Sequence, residues 1–205
     1  EGFRLVEVNV PGYDRPYERM GNKYIVTAPG YKMQFVSHND SRNENGRLLE
    51  FVSFDEETGI RVTTHMQFFD GVSVMQIWNT AENAGTKPQT LDMISTFTYT
   101  GVEKEGISPW QEKMELRIPF NGWQQELNWR TFTLPELGLS QSMADKRKMR
   151  SSRTIRISNV GHWSTKLYLP MGYLENKERG TSLFWQIEHN GSWNWEISDQ
   201  NGHLY

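Results

Sequence analysis

Alternation with a period of two dominates the chain wherever a pattern can be read, which is the signature of half-buried β-strands. Over 61–68, Val62, Thr64, Met66 and Phe68 share one face and the intervening positions are polar. Asp70-Gly71 follows and predicts a two-residue type I′ hairpin turn. The next run, 72–79, alternates less cleanly and puts Val72, Val74, Gln76 and Trp78 on one face. Upstream, 48–54 leads through the polar turn Asp55-Glu56-Glu57-Thr58-Gly59 into the first of these strands. The pattern therefore predicts a three-stranded meander over 48–79.

Beyond a polar loop at 83–89, the stretch 90–100 is rich in β-branched and aromatic residues. A short strand is expected at 115–120, stopped by Pro119 and by the turn Asn121-Gly122, and another at 154–158. Leu183, Trp185 and Ile187 alternate, Asn190-Gly191 offers a turn, and Trp193, Trp195 and Ile197 alternate again. The spacing predicts a hairpin with these six side chains on its inner face. A turn at 199–202 precedes Leu204-Tyr205, read as the start of a further strand. The best helical candidate, 142–150, spans only about two turns and is equally readable as a charged loop, because helices that short are marginal alone. With no repeat and no linker-like tract, the pattern predicts one all-β, mostly antiparallel domain over 1–205.

Composition sharpens the picture in one respect. Leu, Ile, Val and Phe supply 45 of the 205 residues, close to the ~20 % below which chains tend not to fold. Eight tryptophans, eight tyrosines and ten phenylalanines must then provide an unusual share of the core. No apolar run approaches the ~18 residues of a membrane span. A net charge of −3 argues against nucleic acid as the main partner, since phosphate binding needs a basic face. The absence of cysteine removes disulfides and thiol chemistry and fits a reducing compartment.

Candidate chemistry is sparse. Neither the G-x-S-x-G elbow, nor H-E-x-x-H, nor the P-loop occurs. The five histidines, His38, His65, His162, His189 and His203, lack the spacing of a metal site, and His65 falls on the polar face of its strand. Asp55-Glu56-Glu57 reads as a solvated turn, and Asp199 as a turn former. The segment 121–130 is more informative: Trp123 and Trp129 stand among amides, a carboxylate and an arginine, outside any alternating run. An indole plane suits the C–H face of a sugar, and the polar groups suit its hydroxyls. Set against this, Trp123 and Trp129 could plug one end of a sandwich, and Trp78, Trp185, Trp193 and Trp195 read as core residues of strands. Trp110 and Trp163 carry no assignment.

Several of these stretches resemble the non-catalytic N-terminal domain of glycoside hydrolase family 36, in a form common in bacterial α-galactosidases. They are Trp123-Gln124-Gln125-Glu126-Leu127-Asn128-Trp129-Arg130 with Thr133-Leu134-Pro135-Glu136-Leu137-Gly138-Leu139, then Ser158-Asn159-Val160-Gly161-His162-Trp163-Ser164-Thr165-Lys166, and the run from Thr181 to Tyr205. Tyr168 to Asn176, Lys23 to Tyr31 and Gly46 to Glu50 are similar as well. The resemblance implies a β-supersandwich of the galactose mutarotase type, followed in the parent by a (β/α)₈ catalytic barrel and a small C-terminal β-domain. It implies retaining hydrolysis of terminal α-galactosides of the melibiose and raffinose type, with both catalytic aspartates on the barrel. It also implies a domain cut at both ends, with an early-loop aspartate that some members contribute falling upstream of Glu1. One position carries over: Gly122-Trp123 matches the Gly-Trp context whose tryptophan lines the galactose pocket in some members.

The expectation is a domain without catalytic residues, cofactor or metal. It would support the barrel of its own chain, take part in homo-oligomer contacts and lend Trp123 to the sugar. Its expected setting is the bacterial cytoplasm, with no nucleic-acid or membrane partner. A free-standing carbohydrate-binding module and a purely structural assembly domain are the alternatives.

Overall fold

The computed structural model describes residues 4–13, 27–139, 154–200 and 203–204. These residues form mostly antiparallel sheets and no long helix, the all-β class that the pattern predicts. They divide into two compact units, 1–98 and 99–205.

The first unit opens with β1 (Val8–Asn9) and the one-turn α1 (Ala28–Lys32). Then come the long strands β2 (Gln34–Asn43), β3 (Gly46–Asp55), β4 (Ile60–Phe69) and β5 (Met75–Asn83), and finally β6 (Met93–Ile94). Strands β2 to β5 pair in chain order as a four-stranded meander, while β1 pairs β6. The core of this unit is small: Val6, Val8 and Val10 pack with Ile60 and Val62, so the short β1–β6 ribbon covers one end of the large sheet. A buried carboxylate locks that end. Glu7 Oε2 accepts from the Thr27 hydroxyl at 2.6 Å and from the Thr27 N–H at 3.0 Å. The same threonine caps α1 by accepting from Gly30 N. The β3–β4 turn is fixed by Asp55, whose carboxylate accepts from the Thr58 hydroxyl at 2.6 Å and from the N–H groups of Glu57 and Thr58.

The second unit contains α2 (Trp110–Lys113), β7 (Met114–Phe120), β8 (Asn128–Thr133), β9 (Thr154–Asn159), β10 (Met171–Asn176), β11 (Thr181–Gln186), β12 (Trp193–Gln200) and β13 (His203–Leu204). One sheet runs β11-β10-β7-β8 and the other β13-β12-β9. Their apolar faces close on each other, burying Met114, Leu116, Ile118 and Leu174 from the first sheet. Ile155, Ile157, Trp193, Trp195, Ile197 and Leu204 come from the second. This is a two-layer sandwich. Trp185 of β11 meets Trp195 of β12 edge-on, with centroids 5.1 Å apart at 83°.

That aromatic contact corrects the expected hairpin. Strands 183–188 and 193–197 do present the predicted inward residues, but they do not pair: β11 bonds to β10 and β12 to β9. They face each other across the core instead of lying side by side. The meander is confirmed and gains β2, whose ten polar-rich positions gave no alternation. Its last turn also differs. The Asp70 N–H is drawn to Asn45 O at 3.0 Å, the Phe69 N–H reaches Val74 O, and β5 starts only at Met75. Val72 and Val74 therefore stand exposed in a five-residue connection. Pro119 lies inside β7 and does not stop it. Pairing with β10 ends at Arg117, and the Pro119 carbonyl on that side accepts from Leu169 N, so the missing N–H breaks no ladder bond. The 142–150 candidate lies outside the described residues, as do parts of the 199–202 turn and Tyr205.

Two outcomes follow for the sandwich. A Cβ on Gly172 would fall 2.2 Å from Trp185 Cζ2, so Gly172→Ala must displace the indole. It is expected to cost about 1–3 kcal/mol, read as a lower urea midpoint. Separately, Glu178 accepts from the N–H groups of Ile107 at 2.9 Å and Ser108 at 3.0 Å, which hold its carboxyl below its ordinary 4.5. An unfolded chain takes up that proton before the folded one does. The contribution is therefore complete above pH 4.5 and is lost as pH falls through the lowered folded value. Glu178→Gln should flatten this part of the acid limb of a stability–pH curve and speed amide exchange at Ile107 and Ser108.

Candidate functional site

Trp123 sits at the tip of the loop between β7 and β8, and nine-tenths of its surface is exposed (90 %). The loop is built to hold it there. Gln124 and Leu127 both adopt the left-handed region, at φ 59° and 54°. That conformation costs a non-glycine residue about 1–2 kcal/mol, so the surrounding bonds must impose it. Gln125 N donates to Gly122 O at 3.1 Å, Gln124 N to the Glu126 carboxylate at 3.2 Å, and Leu127 N to Asn121 Oδ1 at 3.3 Å.

Asn121 also ties this loop to its neighbour at 160–167. Its Nδ2 donates to Thr165 O at 2.5 Å, and its backbone N–H donates to Leu167 O at 2.9 Å. The second loop is fastened from below. Trp193 Nε1, at the edge of the core, donates to Ser164 O at 2.7 Å; Asn159 Nδ2 donates to Trp163 O at 2.5 Å; and Gly161 N donates to Ser192 Oγ at 2.9 Å. Trp163 is 61 % exposed at the top of this loop, beside exposed Val160 and Leu167. One end of the second unit thus carries two pinned loops displaying Trp123, Leu127, Val160, Trp163 and Leu167, a large apolar display for a protein surface. Amide and hydroxyl side chains, with the Glu126 carboxylate, hold the loops.

The remaining tryptophans sort by their strands. Trp193 and Trp195 are buried, Trp185 packs against the same core, and Trp110 is buried under it. Trp129 is not loop-borne: it lies on β8 opposite Pro119, 37 % exposed on the outer face. Trp78 departs from its expected core position, standing on β5 at 39 % exposure. It belongs to the β5 face opposite the one that, among the described residues, the small core of the first unit covers at Ile60 and Val62. A lone indole in a glycine-containing loop, such as Trp163, has no pattern to read.

Among the described residues, no group of three or more His, Cys, Asp or Glu could hold a metal ion, and no helix is long and apolar enough to cross a membrane. Glu136 is drawn below the ordinary carboxylate range by the Thr133 N–H and hydroxyl, where it closes a turn. His65 bonds to Glu50 and Thr80 on the sheet of the first unit. Neither belongs to the two-loop end.

No family model matches the chain, and no curated protein does. Its fold, however, matches solved structures. The galactosidase domain of the α-galactosidase-sucrose kinase AgaSK superposes with a TM-score of 0.66 at 16 % identity, over 92 % of this chain and 26 % of that one. The GH36 α-galactosidase AgaA from Geobacillus stearothermophilus gives 0.67 at 13 % identity, over 98 % of this chain and 25 % of that one. A doubly substituted form of the same enzyme, in complex with raffinose, gives the same values. The chain spans about a quarter of the length of these neighbours. At such identities the likeness is one of fold, and it is the fold that the sequence resemblance implies.

The two-loop end yields its own expectation. Asn121→Ala removes the donor to Thr165 and the acceptor for Leu127 at once, and should cost about 1–3 kcal/mol in a denaturant titration. Faster exchange of the Leu127 amide should accompany it, with the amides of β7 unchanged.

Proposed function

We propose that this chain is the non-catalytic N-terminal β-domain of a family 36 α-galactosidase, and that its two units are halves of one such domain. It supports the (β/α)₈ barrel of its own chain, takes part in homo-oligomer contacts and brings Trp123 to the galactose pocket. The observation that carries the reading is the Trp123 loop: an almost fully exposed indole held out by two residues in the left-handed region and pinned through Asn121. A surface indole kept at that cost suits an apolar ligand face better than it suits water. The fold shared with α-galactosidases supports the setting, and a bacterial cytoplasmic location fits a chain without cysteine.

In the full-length protein, Trp123→Ala should raise KM for a raffinose-type substrate about tenfold, as loss of a stacked ring does. The kcat for p-nitrophenyl α-galactoside should change less. Unaltered KM would remove Trp123 from the pocket. Absence of α-galactosidase activity in the unsubstituted full-length protein would remove the enzyme assignment itself.

The exposure of both Trp123 and Trp163 also favours a second reading, a carbohydrate-binding module acting alone. Sub-millimolar affinity of the 205-residue chain for galactose, melibiose or raffinose would support it.

A further inference from the structure

A straight rung of side chains crosses the four-stranded sheet of the first unit. Asn39, Glu50, His65 and Trp78 are directly opposite one another on β2, β3, β4 and β5, so all four lie on one face. Their polar groups are consecutively bonded. Asn39 Nδ2 donates to Glu50 Oε2 at 3.0 Å, and His65 Nδ1 meets Glu50 Oε1 at 2.9 Å. A carboxylate only accepts, so His65 carries its proton on Nδ1. His65 Nε2 meets the Thr80 hydroxyl at 3.1 Å. Held at both nitrogens, the imidazole lies flat against Trp78, with centroids 4.8 Å apart and planes 6° from parallel.

The consequence is an indole of fixed orientation at the edge of a sheet. His65 covers one face of the ring, and among the described residues no strand of this sheet lies beyond β5. Gln76 and Thr80, two residues to either side of Trp78, lie on the same face of the strand and are exposed. Both oxygens of the one carboxylate in the rung are already engaged by His65 and Asn39. What borders the indole is therefore an amide and a hydroxyl.

We propose that Trp78, with Gln76 and Thr80 beside it, is a binding site for a neutral pyranose, and that His65 is its positioning residue. The indole takes the C–H face of the ring, while the amide and the hydroxyl take its hydroxyl edge. A cationic ligand would want an uncommitted carboxylate at this spot, and an anionic one a basic side chain. The site lies within the first unit and is independent of Trp123. It goes beyond the function proposed above and does not depend on it.

The test uses the 205-residue chain with its tryptophan indole N–H signals assigned by NMR, titrated with methyl α-galactoside, methyl α-glucoside and raffinose into the millimolar range. The Trp78 signal should move and saturate with at least one of them. Trp78→Ala should weaken binding at this site about tenfold, whereas Trp78→Phe should retain a flat ring and lose less. His65→Ala should weaken binding while leaving the spectrum of the sheet otherwise intact, and Trp123→Ala should leave the Trp78 response unchanged. A Trp78 signal that stays still with all three sugars overturns the proposal. Sugar-induced shifts of the Gln76 and Thr80 backbone amides that persist undiminished in a folded Trp78→Ala variant do so as well. Should Trp78→Ala fail to fold, Trp78→Phe and Thr80→Val decide, and undiminished affinity in both would overturn the site.

Discussion

The second unit depends on one contact, the edge-on meeting of Trp185 and Trp195 over the bare backbone of Gly172. Two indoles fill the gap between facing sheets with few side chains, which a chain modest in aliphatic residues requires. The Gly172 backbone leaves the space that the first indole occupies, since any Cβ there would collide with it. The cost is polar: among the described residues the indole N–H groups of Trp185, Trp195 and Trp110 are buried without an acceptor. Trp193 escapes that cost by donating to Ser164 O, and in doing so it couples the core to the loop that presents Trp163.

This coupling joins packing to surface chemistry. The loops around Trp123 and Trp163 are fastened by amide side chains, Asn121 and Asn159, to each other and to the strands beneath. Rigid display lowers the entropic cost of binding whatever stacks on these rings. The first unit is organised differently. Its small aliphatic core covers only one end of a large sheet, and stacked and hydrogen-bonded side chains such as His65, Trp78 and Glu50 order the open face. The two units thus use tryptophan in two ways, as interior filler and as a plane held toward solvent.

Much of the fold was legible in the sequence, and the failures have local causes. Alternation at 61–68 and 154–158 marked β4 and β9 because a buried face and a polar face differ there. Strand β2 carries no such signal because nearly all of it is exposed, so its residues need not alternate. Leu183, Trp185, Ile187 and Trp193, Trp195, Ile197 were correctly read as inward-facing. Period two cannot tell strands paired in one sheet from strands facing across a core, and turn chemistry at Asn190-Gly191 suggested the wrong choice. Trp123 was legible as unusual because it stood in a polar loop. Trp78 has the sequence signature of a core residue, because a tryptophan on an alternating strand looks the same whichever face the core covers.

The non-catalytic role is tested most directly by assaying the purified 205-residue chain against p-nitrophenyl α-galactoside. No turnover above that of buffer is expected. Turnover that disappears when a carboxylate within these residues is replaced by its amide would overturn that role.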